Sequence, residues 1–260
     1  MAVRERALGG HAVELPEPWR SAAVTVVLPT YNEAANLPVI VDQLLGLPLT
    51  GLKILVADDN SPDGTGQVAD ELAERYGADK IEVMHRPGKQ GLGRAYVDGM
   101  CHALAAGAEF VVQMDSDLSH SPDYLPQMLG TLLASNADVV IGSRYVSGAS
   151  LAKEWSWHRK ALSGFANTYV RVLLRLGIRD VTAGFKLWRS SALEAIDVAS
   201  VQSNGYSFQV EMNYRTIQRG LKVVELPIHF VDRREGESKM SLKVQLESAL
   251  MPFVLRRRAR

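Results

Sequence analysis

The chain has 260 residues, is 47% hydrophobic and 22% charged, and carries 29 basic and 29 acidic residues. This apolar fraction excludes an intrinsically disordered chain, and its single cysteine, Cys101, excludes both a disulfide scaffold and a zinc site built from thiolates. The first twenty residues lack the apolar core of a signal peptide, and no uncharged stretch reaches the length of a membrane span. We therefore expect a cytoplasmic protein.

The charges are distributed unevenly along the chain. Residues 1–143 contain 9 basic and 19 acidic residues, whereas residues 144–260 contain 20 and 10. Such clustering can arise by chance on solvated faces. The alternative is an acidic half that binds a metal and a basic half that faces phosphates or a membrane surface.

Apolar runs alternate with amphipathic stretches through the first half of the chain. The predicted strands are 24–28, 52–58, 81–85, 109–115 and 138–143. The predicted helices are 33–45, 66–76, about 91–107 and one that opens at Pro122. This alternation indicates an α/β fold with a mainly parallel central sheet flanked by helices. Right-handed crossovers then place the loops that follow the strands at one edge of the sheet, where ligands bind.

The second half of the chain is less regular. The predicted elements are helices at 158–176, near 190–196 and at 206–219, a strand at 222–231 and a C-terminal helix from Ser241. Pro227 favours an edge position or a bulge for the strand, because proline cannot donate to a neighbouring strand. A polar loop at 232–240 precedes the C-terminal helix.

Polar side chains follow three of the predicted strands. The first strand leads into PTYNE (29–33), the second into DDNSPDGT (58–65) and the fourth into DSD (115–117). One carboxylate at a strand end is often only a helix N-cap, but three clusters at one sheet edge exceed what capping requires. Asp115 and Asp117 can reach the same cation, and Mg²⁺ accepts one or two carboxylates together with substrate phosphates.

The glycine-rich stretch GKQGLGRAY (88–96) matches neither of two common nucleotide-binding motifs. It follows the third strand, whereas the dinucleotide fingerprint follows the first, and Lys89 is followed by Gln90 rather than by Ser or Thr. Two interpretations remain. The stretch is a flexible loop that leads into a helix, or its amides with Lys89 or Arg94 lie near a diphosphate.

Seven motifs, in this order along residues 24–242, resemble those of family 2 glycosyltransferases, and most of all the polyprenol (dolichol) monophosphate mannose synthases. They are PTYNE, DDNSPDGTG, GLGRAY, MDSDLSH, GSRY, TAGFKLW and RREGESKM. The resemblance implies a GT-A nucleotide-sugar-binding fold. It also implies inverting, metal-dependent transfer of mannose from GDP-mannose to a polyprenyl (dolichyl) monophosphate, with Mg²⁺ or Mn²⁺ as the cofactor. On this basis we divide the chain into an N-terminal extension (1–20), a GT-A catalytic domain (21–240) and a basic amphipathic helix (241–260).

The resemblance also implies roles for residues on the donor side. The nucleotide-binding residues would be Pro29, Tyr31, Glu33, Asp58, Asp115 and Ser116. Glu33 would accept from the ribose and Asp58 from the base, while Asp59 would support the loop. Asp115 and Asp117 would bind the metal. Some relatives supply a third ligand from Gln at the position of Ser119, so here water or diphosphate oxygens would take its place.

On the acceptor side, residues 144–189 contain 9 basic and 2 acidic residues. The catalytic residues implied by the resemblance are Asp117, Arg144, Arg159, Ser163 and Arg233. Arg159, Ser163 and Asn167 are spaced to share one helix face. A lipid monophosphate is anionic near neutral pH and needs no protein base to attack the anomeric carbon, so we expect one inverting displacement. His120, beside the metal loop, is not expected to take part.

The lipid substrate implies a location at the cytoplasmic face of the membrane. Leu242, Leu246, Leu250 and Phe253 lie roughly on one face of the C-terminal helix, ahead of an arginine cluster. Expected partners are therefore a membrane surface or a membrane protein, and no nucleic acid. The alternative is a packed helix with a solvated tail.

A close alternative is a polyprenyl-phosphate glucosyltransferase that uses UDP-glucose. A nucleotide-sugar-binding module without turnover is disfavoured by the full set of acidic and basic motifs, because binding alone does not require phosphate-binding residues on the acceptor side. A sugar nucleotidyltransferase is disfavoured, because PTYNE stands where a glycine-rich basic loop would be expected.

Overall fold

The computed structural model describes residues 15–151, 157–230 and 251–257, apart from the side chains of Arg159 and Tyr206. Its strands are β1 Val24–Thr30, β2 Leu52–Asp58, β3 Ile81–His85, β4 Phe110–Gln113, β5 Val139–Ser143, β6 Lys186–Arg189 and β7 Val223–Pro227. Its helices are α1 Leu37–Leu45, α2 Thr65–Tyr76, α3 Leu92–Ala105, α4 Leu125–Ser135, α5 Trp157–Leu174, α6 Ser190–Ala195 and α7 Gly205–Gln218. Among these described helices, none is both long enough and apolar enough to cross a membrane.

Within the described residues, seven strands form one sheet in the order β3-β2-β1-β4-β6-β5-β7. The pairs β3-β2, β2-β1, β1-β4 and β5-β7 are parallel, which confirms the predicted mainly parallel sheet. β1 is buried along its whole length, as expected for a parallel strand covered on both faces. β7 lies at the edge of the described sheet. Its last residue, Pro227, has no backbone N–H to donate, and at an edge no further strand needs that hydrogen bond.

Strand β6 was not predicted from the sequence. Its residues, KLWR, contain two cations and form no apolar run, yet β6 pairs antiparallel with both β4 and β5. The remaining predicted elements have structural counterparts, with ends displaced by a few residues. The predicted 232–240 loop, the start of the C-terminal helix at 241–250 and most of the N-terminal extension lie outside the described residues.

Two apolar cores cover the two faces of the sheet. Alternate residues of β1 point to opposite faces, so Val26 and Leu28 join one core while Val27 joins the other. The first core is closed by α1, α2 and α4. The second is closed by α3, α5, α6 and α7, with Leu255 of the C-terminal helical stretch packed into it.

The strand register brings the polar strand ends together. Thr30, at the end of β1, pairs with Asp58 at the end of β2, and Gln113 of β4 pairs with Val27 two residues before Pro29. The segments after β1, β2 and β4 therefore meet at one edge of the sheet, as the crossover rule predicts.

The packing of α3 against β1 can be tested with a pair of glycine variants. A Cβ at Gly99 would lie 2.5 Å from Val27 Cγ1, whereas a Cβ at Gly164 in α5 would meet nothing within 4 Å. We expect Gly99→Ala to lower the free energy of unfolding by about 1–3 kcal/mol through overpacking. Gly164→Ala should raise it by about 0.5–1 kcal/mol, because alanine favours the helix. Urea unfolding measures both, and changes of the same sign would contradict this packing.

Candidate active site

A cleft opens at the edge where the strand ends meet. It is lined by Pro29, Thr30, Tyr31, Glu33, Asp59, Lys89, Leu92, Ala95, Asp115, Ser116 and Asp117. Six of these residues were predicted to bind nucleotide or metal: Pro29, Tyr31, Glu33, Asp115, Ser116 and Asp117. Ser116 Oγ donates to the carbonyl of Pro29 at 3.0 Å, so the DSD segment is fastened directly to the PTYNE segment.

Asp58 and Asp59 differ in their position relative to the cleft. Asp58 is 2% exposed and lies behind the cleft, where its carboxylate accepts from Thr30 Oγ1 at 2.9 Å and from Ser61 Oγ at 2.6 Å. Asp59 lines the cleft and pairs with the buried guanidinium of Arg86. Asp58 is the last residue of β2 and points into the protein, so it shapes the loop while Asp59 faces the cleft.

The two carboxylates of the DSD segment have fixed orientations. Asp115 Oδ1 accepts from the Tyr96 hydroxyl at 2.6 Å, and Asp117 Oδ1 accepts from the Ser119 backbone N–H at 3.1 Å. Burial, together with the charge of Asp115, raises the pKa of Tyr96 well above its usual value, so the phenol stays protonated and donates.

The acidic pair fits a hard divalent cation. Two carboxylates in an open cleft offer the oxygen ligands that such a cation takes in company with substrate phosphates. Within the ranges that the structure describes, no group of three or more His, Cys, Asp or Glu side chains gathers around a cation site. Ser119 is 2% exposed and uses its backbone N–H to orient Asp117.

Arg144 forms a bidentate ion pair with Asp180. Its Nε donates to Asp180 Oδ2 and its Nη2 to Asp180 Oδ1, both at 2.8 Å, and Nη2 also donates to Thr182 Oγ1 at 2.8 Å. Asp180 is fully buried. Burial alone would raise the pKa of Asp180, but the charge and hydrogen bonds of Arg144 outweigh it and hold this pKa below its usual value.

Asp180 and Thr182 were not predicted from the sequence as partners of Arg144. A signal for Asp180 was present, because it is one of two acidic residues in the otherwise basic stretch 144–189. Asn167, predicted to share a helix face with Arg159 and Ser163, is 3% exposed and accepts from the backbone N–H of Val181 at 2.9 Å. It therefore anchors the segment that carries Asp180 rather than facing a ligand.

His120 is buried close to both the acidic pair and Arg144. It is 5% exposed and interacts electrostatically with Asp115, Asp117, Arg144 and Asp180. Its ring centroid is 5.3 Å from that of Phe185 and 5.5 Å from that of Phe230. Burial lowers its pKa, so the imidazole is neutral at physiological pH. The acidic pair and Arg144 therefore lie near the same uncharged imidazole.

A buried lysine lies beneath this arrangement. Lys186 of β6 is fully buried and donates from Nζ to Gln209 Oε1 of α7 at 2.7 Å. Burial lowers its pKa to about 7, although Asp180 and Asp115 act in the opposite direction. The sequence analysis did not assign this residue a role.

The remaining predicted acceptor residues are only partly described. The hydroxyls of Ser163 in α5 and of Tyr145, the residue that follows Arg144, form a hydrogen bond of 2.7 Å. Arg159 lies one helical turn before Ser163, but its side chain is outside the described part of the structure. Arg233 lies outside the described residues altogether.

Comparisons with known proteins agree with the site. Residues 25–197 match the family model described as glycosyl transferase family 2. The chain is 48% identical over 216 residues to the polyprenol monophosphomannose synthase of Mycolicibacterium smegmatis, covering 83% of this chain and 80% of that protein. It is 43% identical over 218 residues to the undecaprenyl-phosphate mannosyltransferase of Micrococcus luteus, covering 84% and 87%.

Solved structures with the same fold are more distant in sequence. A mannosyltransferase from Pyrobaculum calidifontis, in complex with GDP-Man and Mn²⁺, matches with a TM-score of 0.61 at 18% identity, covering 91% of this chain and 64% of that one. Glucosyl-3-phosphoglycerate synthase from Mycobacterium tuberculosis matches with a TM-score of 0.67 at 18% identity, covering 98% and 86%. These likenesses confirm the predicted GT-A fold.

The Arg144–Asp180 pair predicts a specific stability profile. Removing one partner of a buried ion pair costs about 3–5 kcal/mol, so Asp180→Asn should lower the free energy of unfolding by that amount at neutral pH. The exposed pair of Asp70 and His85 supplies the control, and Asp70→Asn should cost less than about 1 kcal/mol. Urea unfolding of the three proteins measures both effects.

The lowered pKa of Asp180 also determines how the difference in unfolding free energy between wild type and Asp180→Asn depends on pH. Because the pKa of Asp180 is lower in the folded protein, its contribution is present above the ordinary value of 3.8 and is lost as the pH falls through the folded value. The gap between wild type and Asp180→Asn should stay constant from neutral pH down to that region. A gap that closes between pH values of about 7 and 5 would contradict the assignment.

Proposed function

Because the chain belongs to glycosyl transferase family 2, we propose that it transfers mannose from GDP-mannose to a polyprenyl monophosphate. The observation that carries the proposal is an acidic cleft and Arg144 that both interact with the same buried residue, His120. Such a site can hold two phosphate-bearing substrates at once, one at the acidic pair and one at the arginine. The names of the two curated relatives supply the sugar and the lipid.

The nucleoside half of the donor would occupy the cleft between the PTYNE segment and Asp59. Glu33 would accept from ribose hydroxyls, with Pro29 and Tyr31 beside it. We assign the base to Asp59 rather than Asp58, because Asp59 lines the cleft and Arg86 fixes its carboxylate. A guanine presents N–H donors that a carboxylate can accept.

The donor diphosphate would lie at the acidic pair. Asp115 and Asp117 would hold Mg²⁺ or Mn²⁺, whose charge neutralises the departing nucleoside diphosphate. Tyr96 and the Ser119 amide keep the two carboxylates in place. Ser116 ties this segment to the nucleoside wall through Pro29. The protein therefore supplies a positioned donor site that requires no reorganisation during reaction.

The acceptor phosphate would lie on the side of Arg144. Asp180 and Thr182 hold the guanidinium in one orientation. Ser163 is hydrogen-bonded to Tyr145, the residue that follows Arg144. Arg159 and Arg233 are proposed to complete this half. A monoalkyl phosphate has a second pKa of about 6 and is largely dianionic at neutral pH, so it attacks the anomeric carbon without a protein base. One displacement inverts the anomeric configuration.

Contact with a bilayer would bring the lipid to this site. Four apolar side chains of α5 are exposed: Trp157 (79%), Leu162 (53%), Phe165 (70%) and Val172 (70%). Phe253 and Val254 of the C-terminal stretch are also exposed, whereas Leu255 beside them is buried. We therefore extend the proposed membrane contact from the C-terminal helix to α5, which presents aromatic and aliphatic groups next to the acceptor side.

The transfer reaction itself is the first test. Purified protein is incubated with Mg²⁺ or Mn²⁺, a polyprenyl monophosphate and labelled nucleotide sugars, and label is counted in the organic extract. GDP-mannose should give an acid-labile lipid product. Transfer from UDP-glucose instead would support the glucosyltransferase alternative, and nucleotide binding without transfer would support a binding module.

A matched pair of variants in the same loop tests the acidic pair. Asp117→Asn should reduce transfer by roughly two to three orders of magnitude, because it removes charge stabilisation at the leaving group. Asp123→Asn changes an exposed carboxylate nearby and should leave turnover unchanged. Near-normal turnover of Asp117→Asn would contradict the proposed metal role.

Membrane contact through α5 is tested by cosedimentation with anionic vesicles. Replacing Trp157 and Phe165 together with serine should lower the bound fraction at least about tenfold, since each buried aromatic side chain contributes about 1.5–3 kcal/mol. Val39→Ser removes an exposed apolar group from α1, on the opposite face of the sheet, and should have no effect. Unchanged binding of the double variant would refute this contact.

A further inference from the structure

The glycine-rich segment 88–93, a loop that runs into the first turn of α3, is docked against the start of α7. A Cβ at Gly93 would lie 2.4 Å from the backbone oxygen of Ser203, and a Cβ at Gly91 would lie 2.8 Å from Asn204 Oδ1. Gly91 also has a φ of +97°, a conformation that side chains disfavour. These glycines are therefore needed for close approach to residues 203–204, which neither interpretation of the motif from sequence included.

The side chain of Asn204 fastens the loop at two points. Its Oδ1 accepts from the backbone N–H of Arg94 at 3.3 Å, and its Nδ2 donates to the backbone oxygen of Gln90 at 3.2 Å. These partners are 110 and 114 residues away in sequence. Asn204 is also the N-cap residue of α7, yet its side chain makes no capping hydrogen bond. A residue type that usually caps its own helix is used here to hold a distant loop.

The fastened loop forms one wall of the donor cleft. Lys89 and Leu92 both line the cleft, and Lys89 Nζ lies 3.5 Å from the centroid of the Tyr31 ring. Arg86 supports the loop from its other end, since Nη2 donates to Gln90 Oε1 at 3.3 Å while the same guanidinium pairs with Asp59. Gln90 is therefore held by Arg86 through its side chain and by Asn204 through its backbone.

We propose that Asn204 is a positioning residue for the donor. It does not line the cleft, and it acts by keeping the loop ordered so that the Lys89 ammonium lies beside Tyr31, where it can meet a nucleoside diphosphate. Without Asn204, donor binding must also order the loop, and the affinity falls by that cost. This inference rests on the proposed donor site and adds to it a residue from the second half of the chain.

Equilibrium binding tests the effect on the donor. Wild type is titrated with GDP and with UDP in the presence of Mn²⁺, and the tighter ligand is used for the variants. Asn204→Ala should raise Kd about five- to tenfold, the scale of one lost hydrogen-bonded anchor. Gln218→Ala, an exposed change at the far end of α7, should leave Kd unchanged. An Asn204→Ala protein that binds as tightly as wild type would overturn the proposal.

A double-mutant cycle separates positioning from a general structural effect. If Asn204 acts through Lys89, Asn204→Ala should have little further effect on Kd in a Lys89→Ala background. If Asn204→Ala still raises Kd five- to tenfold in the Lys89→Ala background, Asn204 does not act through Lys89 and the proposal is overturned.

Hydrogen exchange of the ligand-free protein tests the anchoring without any nucleotide. Amides of residues 88–94 should exchange faster in Asn204→Ala than in wild type or Gln218→Ala, and equal exchange would overturn the anchoring. Absence of binding by wild type to either nucleotide would instead contradict the proposed donor site. The two failures are therefore distinguishable.

Discussion

The Asp115–Asp117 pair and Arg144 carry opposite charges near the same buried imidazole, and both have neighbours that orient them. Arg144 is paired with Asp180, Asp115 accepts from Tyr96, and the neutral ring of His120 interacts with both groups. Asp115 and Arg144 are thereby held in fixed orientations. A site of this kind presents carboxylates to a cation with a diphosphate and an oriented guanidinium to a second phosphate. The proposed transfer between two phosphates depends on this arrangement.

The antiparallel strand β6 is what brings the two halves together. It lies between β4, which leads into the acidic pair, and β5, which leads into Arg144. The segment before β6 carries Asp180, and a Cβ at Gly184 would lie 3.2 Å from Asp115 Oδ2, so acceptor and donor groups approach closely there. Behind the sheet, α7 contributes Gln209 to buried Lys186 and begins beside the donor loop held by Asn204. The second half of the chain thus contributes residues to both proposed substrate sites.

Sequence alone predicted those parts of the site that depend on local pattern. Apolar strands followed by PTYNE and DSD were sufficient to place these motifs at one edge, because parallel register fixes where strands end. The different positions of Asp58 and Asp59 were not predicted, because which of two adjacent residues faces the cleft depends on where the strand ends. Asp180 and Asn204 act on partners 36 and 110 residues away, and no local pattern identifies partners at such separations. β6 was missed because KLWR is short and lacks an apolar run.

Phosphorus NMR of the acceptor tests most directly whether the acceptor phosphate binds close to the metal ion at the acidic pair. Wild-type protein is loaded with Mn²⁺ and GDP, and a short-chain polyprenyl monophosphate is added at a concentration at which it binds. If the acceptor phosphate binds at Arg144, near the acidic pair, the paramagnetic Mn²⁺ should strongly broaden its ³¹P resonance relative to a Mg²⁺ control. A bound acceptor whose resonance is equally sharp with Mn²⁺ and Mg²⁺ would contradict the account.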